Sequence, residues 1–457
     1  MNITSRRVCT LGILFSVGVL WAGVGHSIAA DGPGQLQPVP EQSPSVAQPP
    51  AYPLQGDSLV TEYDEGVEFD GLPVCGPPGR FWLRADYLMW WTSGMNLPAL
   101  VTTSPPGTPL AQAGALPPYG NAIVVYGNGT VNNDMRSGFR TTIGMWLDAC
   151  HVWDLEFDYL SLGERANNYT SPYSTGNPIY ARPYYDVENN HQSRELVAFT
   201  DVIEGQVSVD ARDYFQSAGV TVSYNLCSCN SCGDSCDSCD DSCAGTCGPP
   251  LLYCCRTDLL VGYRYYNLND SVTIREDLQD TQPGPTLGWR TEVHDYFRAR
   301  NDFHGGEIGL RSKKYCGRWS VDILAKLAIG NNHRVVTIDG QTIVTPTDQP
   351  RPDPRPNGVF ANRSNMGTYP SDAFTVIPQM NLELGYQVNC HWRAYVGYNI
   401  LFWGCVSRAA DQIDLNLDTR NLVVGATGLP FPAKPDSLNR SACFWAQGVN
   451  LGTEFRF

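Results

Sequence analysis

The chain has 457 residues, room for one large or two ordinary domains. A net charge of −15 excludes nucleic acid as a partner, because that surface has to be basic. Only 17% of residues are charged, 11% are aromatic (23 Tyr and 11 Trp among them), and mean hydropathy is still negative, a mix that suits membrane-crossing strands apolar on one side only.

The first 30 residues read as a secretory signal. Arg6 and Arg7 charge its start, Val8 to Val24 is apolar and uncharged, and Ser27-Ile28-Ala29-Ala30 supplies small residues for cleavage before Asp31. An uncleaved anchor is the alternative, and Ser5-Arg6-Arg7 weakly suggests a twin-arginine signal. No later segment has about 18 consecutive apolar residues, so no transmembrane helix follows. Residues 31–79 are rich in Pro, Gln, Gly and Ser, have little to bury, and read as a disordered linker.

After the linker come strand-like runs: 80–91, 138–148, 151–162, 213–226, 256–268, 303–314, 317–330, 376–388, 391–404 and 444–457. Most have the roughly 9–11 residues that a tilted membrane strand needs. Apolar and polar residues alternate within them, the pattern of a strand with two unlike faces. Phe81, Leu83, Ala85, Tyr87 and Met89 oppose Trp82, Arg84, Asp86 and Leu88, and the chain closes with Val449, Leu451, Thr453, Phe455 and Phe457 on one face. Turns at 149–150, 315–316 and 389–390 are very short, whereas the connections 92–137, 163–212, 269–302, 331–375 and 405–443 are long and polar. Strict alternation of short and long connections matches outer-membrane barrels, with short periplasmic turns and long outer loops. Trp153, Trp319 and Trp392 fall on the outward face at the short-turn end, with Phe457; Trp91 and Trp445 lie at the opposite ends of their strands, as membrane-interface belts require. The fold class is therefore all-β: a single antiparallel transmembrane barrel over 80–457, with about 10 strands, or 12 if weaker strands within 121–127 or 334–345 join it.

Several motifs together resemble the beta-barrel porin-7 family of planctomycete-type bacteria. They are Phe81-Trp-Leu-Arg-Ala-Asp-Tyr-Leu-Met-Trp-Trp91, Leu260-Val-Gly-Tyr-Arg-Tyr265, Phe303-His-Gly-Gly-Glu-Ile-Gly-Leu310, Trp319-Ser-Val-Asp322 with Lys326-Leu-Ala-Ile-Gly330, and the final strand. The resemblance covers roughly 80–457 and implies an outer-membrane barrel; it implies no substrate or activity.

The inward phase carries both charges. Its acidic members are Asp86, Asp154, Glu156, Asp158, Glu307, Asp322, Glu383 and Glu454; its basic members are Arg84, Arg140, Arg264, Arg311, Lys326, Arg393 and Arg456. About eight strands give an interior that side chains just fill, and 16–18 leave a channel. Buried charges need partners. The expectation is a narrow lumen, largely plugged by paired charges, in a barrel with a structural or passive small-solute role. The alternative is a binding protein that holds a ligand, metal or cell-envelope partner on its long loops or its cysteine-rich turn.

That turn, 227–255, breaks the short-turn rule and holds Cys227, Cys229, Cys232, Cys236, Cys239, Cys243, Cys247, Cys254 and Cys255. A disulfide-stapled knob is the first reading and thiolate metal capture the second. Nine is an odd number, and Cys150, Cys316 and Cys390 on the same rim are candidate partners. Beyond such a metal no cofactor is expected, and the partner expected is outer-membrane lipid. Asp302-Phe-His304 and His294-Asp295 are the nearest approach to a catalytic pattern; no nucleotide or zinc-protease motif is present, and no enzyme is expected.

Overall fold

The computed structural model describes residues 79–148, 151–229, 255–348, 351–389, 391–421 and 434–457. The expected signal and linker lie outside them. The strands are β1 Phe81–Thr92, β2 Met95–Ser104, β3 Ile123–Val131, β4 Arg136–Trp146, β5 Trp153–Thr170, β6 Ile179–Asp186, β7 His191–Ala198, β8 Ile203–Cys229, β9 Cys255–Asp280, β10 Arg290–Cys316, β11 Trp319–Thr345, β12 Asp353–Arg355, β13 Gly367–Gln387, β14 Trp392–Val406, β15 Asn416–Leu417 and β16 Ala442–Arg456.

Ten of them form one closed antiparallel ring: β1, β4, β5, β8, β9, β10, β11, β13, β14 and β16, in that order, with β16 returning to β1. Every strong run of the sequence lies in this ring. The two weaker segments add nothing to it. Residues 334–345 prolong β11, and 121–127 contributes to β3 of a second sheet, so the ring count is 10 and not 12.

The outer face is apolar where the ring is complete. On β11, Trp319, Val321, Ile323, Leu327 and Ile329 point outward and are exposed, each beside a buried neighbour. This stretch has the length of one tilted bilayer crossing, about 9–11 residues. Beyond it the outward positions turn polar at Asn331, His333, Thr337, Asp339 and Gln341, with Val335 the apolar exception. The apolar residues then move to the inward phase as Val336 and Ile338. The same inversion occurs on β9, from outward Val261 and Tyr263 to inward Leu268, Val272, Ile274 and Leu278, and on β8 from outward Val222 and Val220 to inward Phe215, Ala211, Val209 and Val207. The strand is unbroken, but the solvent that its outer face meets has changed.

Past the inversion, β8 to β11 continue as a tall wall. The connections expected as polar loops fold against its inner face. β15, β6, β2 and β3 form a second sheet, with β7 on β6. Met95, Leu97, Val101, Tyr180, Tyr184 and Val197 from this sheet meet Val209, Ile274, Phe297 and Ile338 of the wall in one buried core. Arg182 of β6 crosses that core, 3.0 Å from Glu276 and 2.6 Å from Asp295. Asp295 also accepts the backbone N–H groups of Phe360 and Ala361, so one carboxylate ties the 351–366 segment and β6 to the wall. These apolar residues are scattered among Pro, Gly and Asn, so no run of the sequence marks them.

The assigned faces have a direct test. Leu384 is outward in the apolar band on β13, across from Val321, and Gln387 is half-buried at its short-turn end. Leu384→Arg is expected to cost about 1–3 kcal/mol in denaturant unfolding from lipid vesicles, between the midplane and interface values. Gln387→Arg is expected to cost much less, and equal losses would mean that the faces are misassigned.

Candidate functional site

The lumen is the natural place for a site, and its contents follow from strand period and register. Residues i and i+2 share a face, so Arg84 and Asp86, or Asp154, Glu156 and Asp158, come from single strands. Register then decides who meets whom. Asp86 lies directly across from Arg140 in the β1–β4 ladder, and Arg140 donates to both Asp86 carboxylate oxygens at 3.0 and 3.2 Å. Inward glycines make room for the longest side chains: a Cβ on Gly219 would lie 2.4 Å from the Arg264 guanidinium carbon, and one on Gly385 2.2 Å from Arg393 Nε.

From the short-turn rim inward there are three layers. In the first, Trp82 packs on Trp146 at 4.7 Å between ring centroids, and the Arg256 guanidinium lies over Trp146 at 4.5 Å. Arg256 donates to Asp258 at 2.7 Å and lies 3.8 Å from Asp154. Arg456 reaches Glu454 at 2.5 Å, and Lys313 lies 3.9 Å from both Asp322 and Glu454.

In the second, Glu383 is the hub. Arg84 donates to it at 2.6 Å, with Arg140 and Arg393 each 3.8 Å away. Arg264 spans Asp158 at 2.5 and 2.8 Å and Glu307 at 2.8 and 2.9 Å. Lys326 adds a 2.9 Å bond to Glu307, and Arg311 grips Glu156 at 2.7 and 3.0 Å. Every lumen residue singled out in the sequence lies in these two layers, and with Arg256, Lys313 and Asp258 the cations equal the carboxylates in number. The space between them is small: cavities of about 40 Å³ and about 50 Å³.

The third layer is apolar, and sequence reasoning missed it. Leu88, Trp90, Leu160, Phe215, Tyr266, Phe303, Leu401, Trp403 and Phe444 all point inward and are buried. Phe215 meets Phe444 at 5.1 Å, and Tyr266 meets both Phe303 and Trp403 at 5.9 Å. The available signal was large apolar residues in the charged phase: Leu88 and Trp90 follow Asp86 at steps of two. Above this layer Arg136 bonds Asp213 at 2.9 Å, and Arg408 bonds Asp270 at 2.5 Å; the cap core follows.

The other singled-out residues are scattered. Trp153, Trp319, Trp392 and Phe457 are exposed at the short-turn rim, and Trp91 and Trp445 are exposed near the opposite edge of the band. Asp295 points inward to Arg182, whereas the next residue, His294, points outward beside Arg275. Asp302 is engaged by Arg300 at 2.7 Å and Tyr265 at 2.8 Å, and His304 Nδ1 lies 2.5 Å from the Tyr263 hydroxyl. At the cysteine-rich turn, Cys229 faces Cys255 in the β8–β9 ladder, and Cys227 and Cys255 are unpaired. Cys232 to Cys254 lie outside the described residues, as do Cys150 and Cys390, so the expected knob and its metal alternative fall there.

A closed antiparallel ring with an apolar outer band, short turns at one rim and long folded connections at the other defines an outer-membrane β-barrel. Residues 82–457 match the family described as "Putative beta barrel porin-7", and the chain belongs to that family. No curated protein matches it. Among solved structures, it is similar to the outer membrane protease OmpT from Escherichia coli, at 10% identity over 85% of this chain and 99% of that one, with a TM-score of 0.37. It is also similar to the P. putida toluene transporter TodX, at 9% identity over 83% of this chain and 91% of that one, with a TM-score of 0.19. Likenesses this distant carry nothing about activity.

The ion-pair network predicts a sharp contrast in stability. Glu383→Gln leaves three buried guanidinium groups short of their shared carboxylate and is expected to cost about 3–5 kcal/mol in denaturant unfolding. Glu164→Gln breaks a surface pair with Arg212 and is expected to leave the midpoint unchanged. Similar losses would mean that the lumen charges are solvated rather than mutually paired.

Proposed function

We propose that this chain is a closed outer-membrane barrel with a structural and surface-display role, and that it does not conduct solutes at rest. The observation that carries this reading is the aromatic layer around Trp90, Phe215, Tyr266, Trp403 and Phe444. An ion entering the charged half meets a lumen already neutralised by its own pairs. It would then have to shed its water against a layer with no charge to replace it, and desolvating an ion costs many kcal/mol. The charged layers support the same reading, because cavities of about 40–50 Å³ hold a few waters rather than a solute. The folded connections over the mouth add a second closure.

A passive pore is the competing reading within the same family, and no catalytic role is proposed. Planar-bilayer recording separates the two. The wild-type protein is expected to stay silent after insertion, and the triple variant Trp90→Ala, Trp403→Ala and Phe444→Ala to show stepwise currents. Steady ohmic steps from the wild type would overturn the closed reading.

A further inference from the structure

One hollow lies outside the lumen. It is a groove of about 410 Å³ on the outer face of the wall, well past the apolar band, and lies within the roughly 300–1,000 Å³ of small-ligand sites. Its floor comes from ladder register. Ser208, Arg275, His294 and Gln341 stand side by side across β8, β9, β10 and β11. Gln206, Asp277 and Glu292 form the next row.

The two rows differ in charge. Asp277 and Glu292 share the single Arg290, at 2.7 and 2.8 Å, so the second row keeps one net negative charge. In the first row, no carboxylate among the described residues lies within ion-pair distance of Arg275. Burial, then the adjacent Arg275, lowers the His294 pKa against the weaker pull of Asp295 and Asp339, so its imidazole stays neutral at pH 7. The groove thus pairs one guanidinium that has no direct ion-pair partner, flanked by amides, a hydroxyl and a neutral imidazole, with a carboxylate row that can accept hydroxyl hydrogens.

We infer that this groove binds a saccharide bearing a carboxylate, with the acid group on Arg275 and the ring hydroxyls on Ser208, Gln206, Gln341 and the Asp277–Glu292 row. A guanidinium fork matches a carboxylate in bidentate geometry, and planar amides and carboxylates match vicinal hydroxyls. A simple inorganic anion would use Arg275 and leave the rest of the groove idle. An added peptide strand finds no free ladder in the middle of the floor, where β9 and β10 are paired on both sides. The inference stands apart from the closed-lumen reading, because the groove faces away from the lumen.

The test is calorimetric titration of the full-length barrel in detergent with trigalacturonate, maltotriose and sodium sulfate. Trigalacturonate is expected to bind at least about tenfold more tightly than the other two, since it alone combines a charge-assisted contact to Arg275 with hydroxyl contacts along the groove. Arg275→Gln should remove most of that preference, and Arg275→Lys should restore part of it. Heat-modifiable gel migration checks that each variant is folded, and Ser208→Trp, which fills the groove from the next strand, serves if Arg275→Gln does not fold. Equal affinity for sulfate would reduce the groove to an anion site. Equal affinity for maltotriose, no binding of trigalacturonate, or binding untouched by both variants would also overturn the assignment.

Discussion

Hydrocarbon offers a peptide group no hydrogen-bond partner, and that constraint governs everything else in this molecule. A sheet can cross a bilayer only if it has no edge. Here the last residue closes the ring: Phe81 N–H donates to the Phe457 carbonyl at 2.9 Å, and Phe457 N–H donates to the Phe81 carbonyl at 3.0 Å. Gly79, at φ +95°, lets the chain turn away at this seam; a Cβ there would stand 2.9 Å from Phe457 N. Closure fixes ten strands, ten strands fix a narrow interior, and a narrow interior forces inward side chains to satisfy one another.

That interior is layered by solvation. Near the short turns, opposite charges pair across the lumen and leave little free volume. Deeper in, aromatic rings replace them. Trp90 and Trp403 each bury an indole N–H that lacks a hydrogen-bond partner. An unpaired buried donor costs about 1–3 kcal/mol, a cost set against the burial of the surrounding aromatic rings. The polar pairs Arg136–Asp213 and Arg408–Asp270 then separate the seal from the cap core.

The ring was legible in the sequence because period two is unambiguous when one face meets lipid. Val321, Ile323 and Leu327 alternate with Asp322, Leu324 and Lys326 in a pattern that few other structures need. The charged lumen was legible for the same reason. The seal was not, because Leu88 and Trp90 sit in the phase already assigned to charge, and only register shows that Phe215, Tyr266 and Phe444 join them. The tall wall was hidden by the phase inversion: past Tyr263 the apolar residues of β9 change faces, which reads as a strand ending when it is a strand leaving the membrane. The cap sheet was hidden by composition, since β3 contains Gly127 and Gly129 and β6 contains Pro183, and both depend on long-range packing for their form.

The seal is the element on which the functional account turns, and its two unpartnered indoles report on it directly. Hydrogen exchange of tryptophan N–H groups in deuterated buffer, followed by NMR on the protein in detergent micelles, reads their contact with water. The account predicts that Trp90 and Trp403 remain protected long after Trp153, Trp319 and Trp392 at the rim have exchanged. Exchange of Trp90 and Trp403 as fast as the rim tryptophans would mean that water runs through the barrel and that the lumen is not sealed.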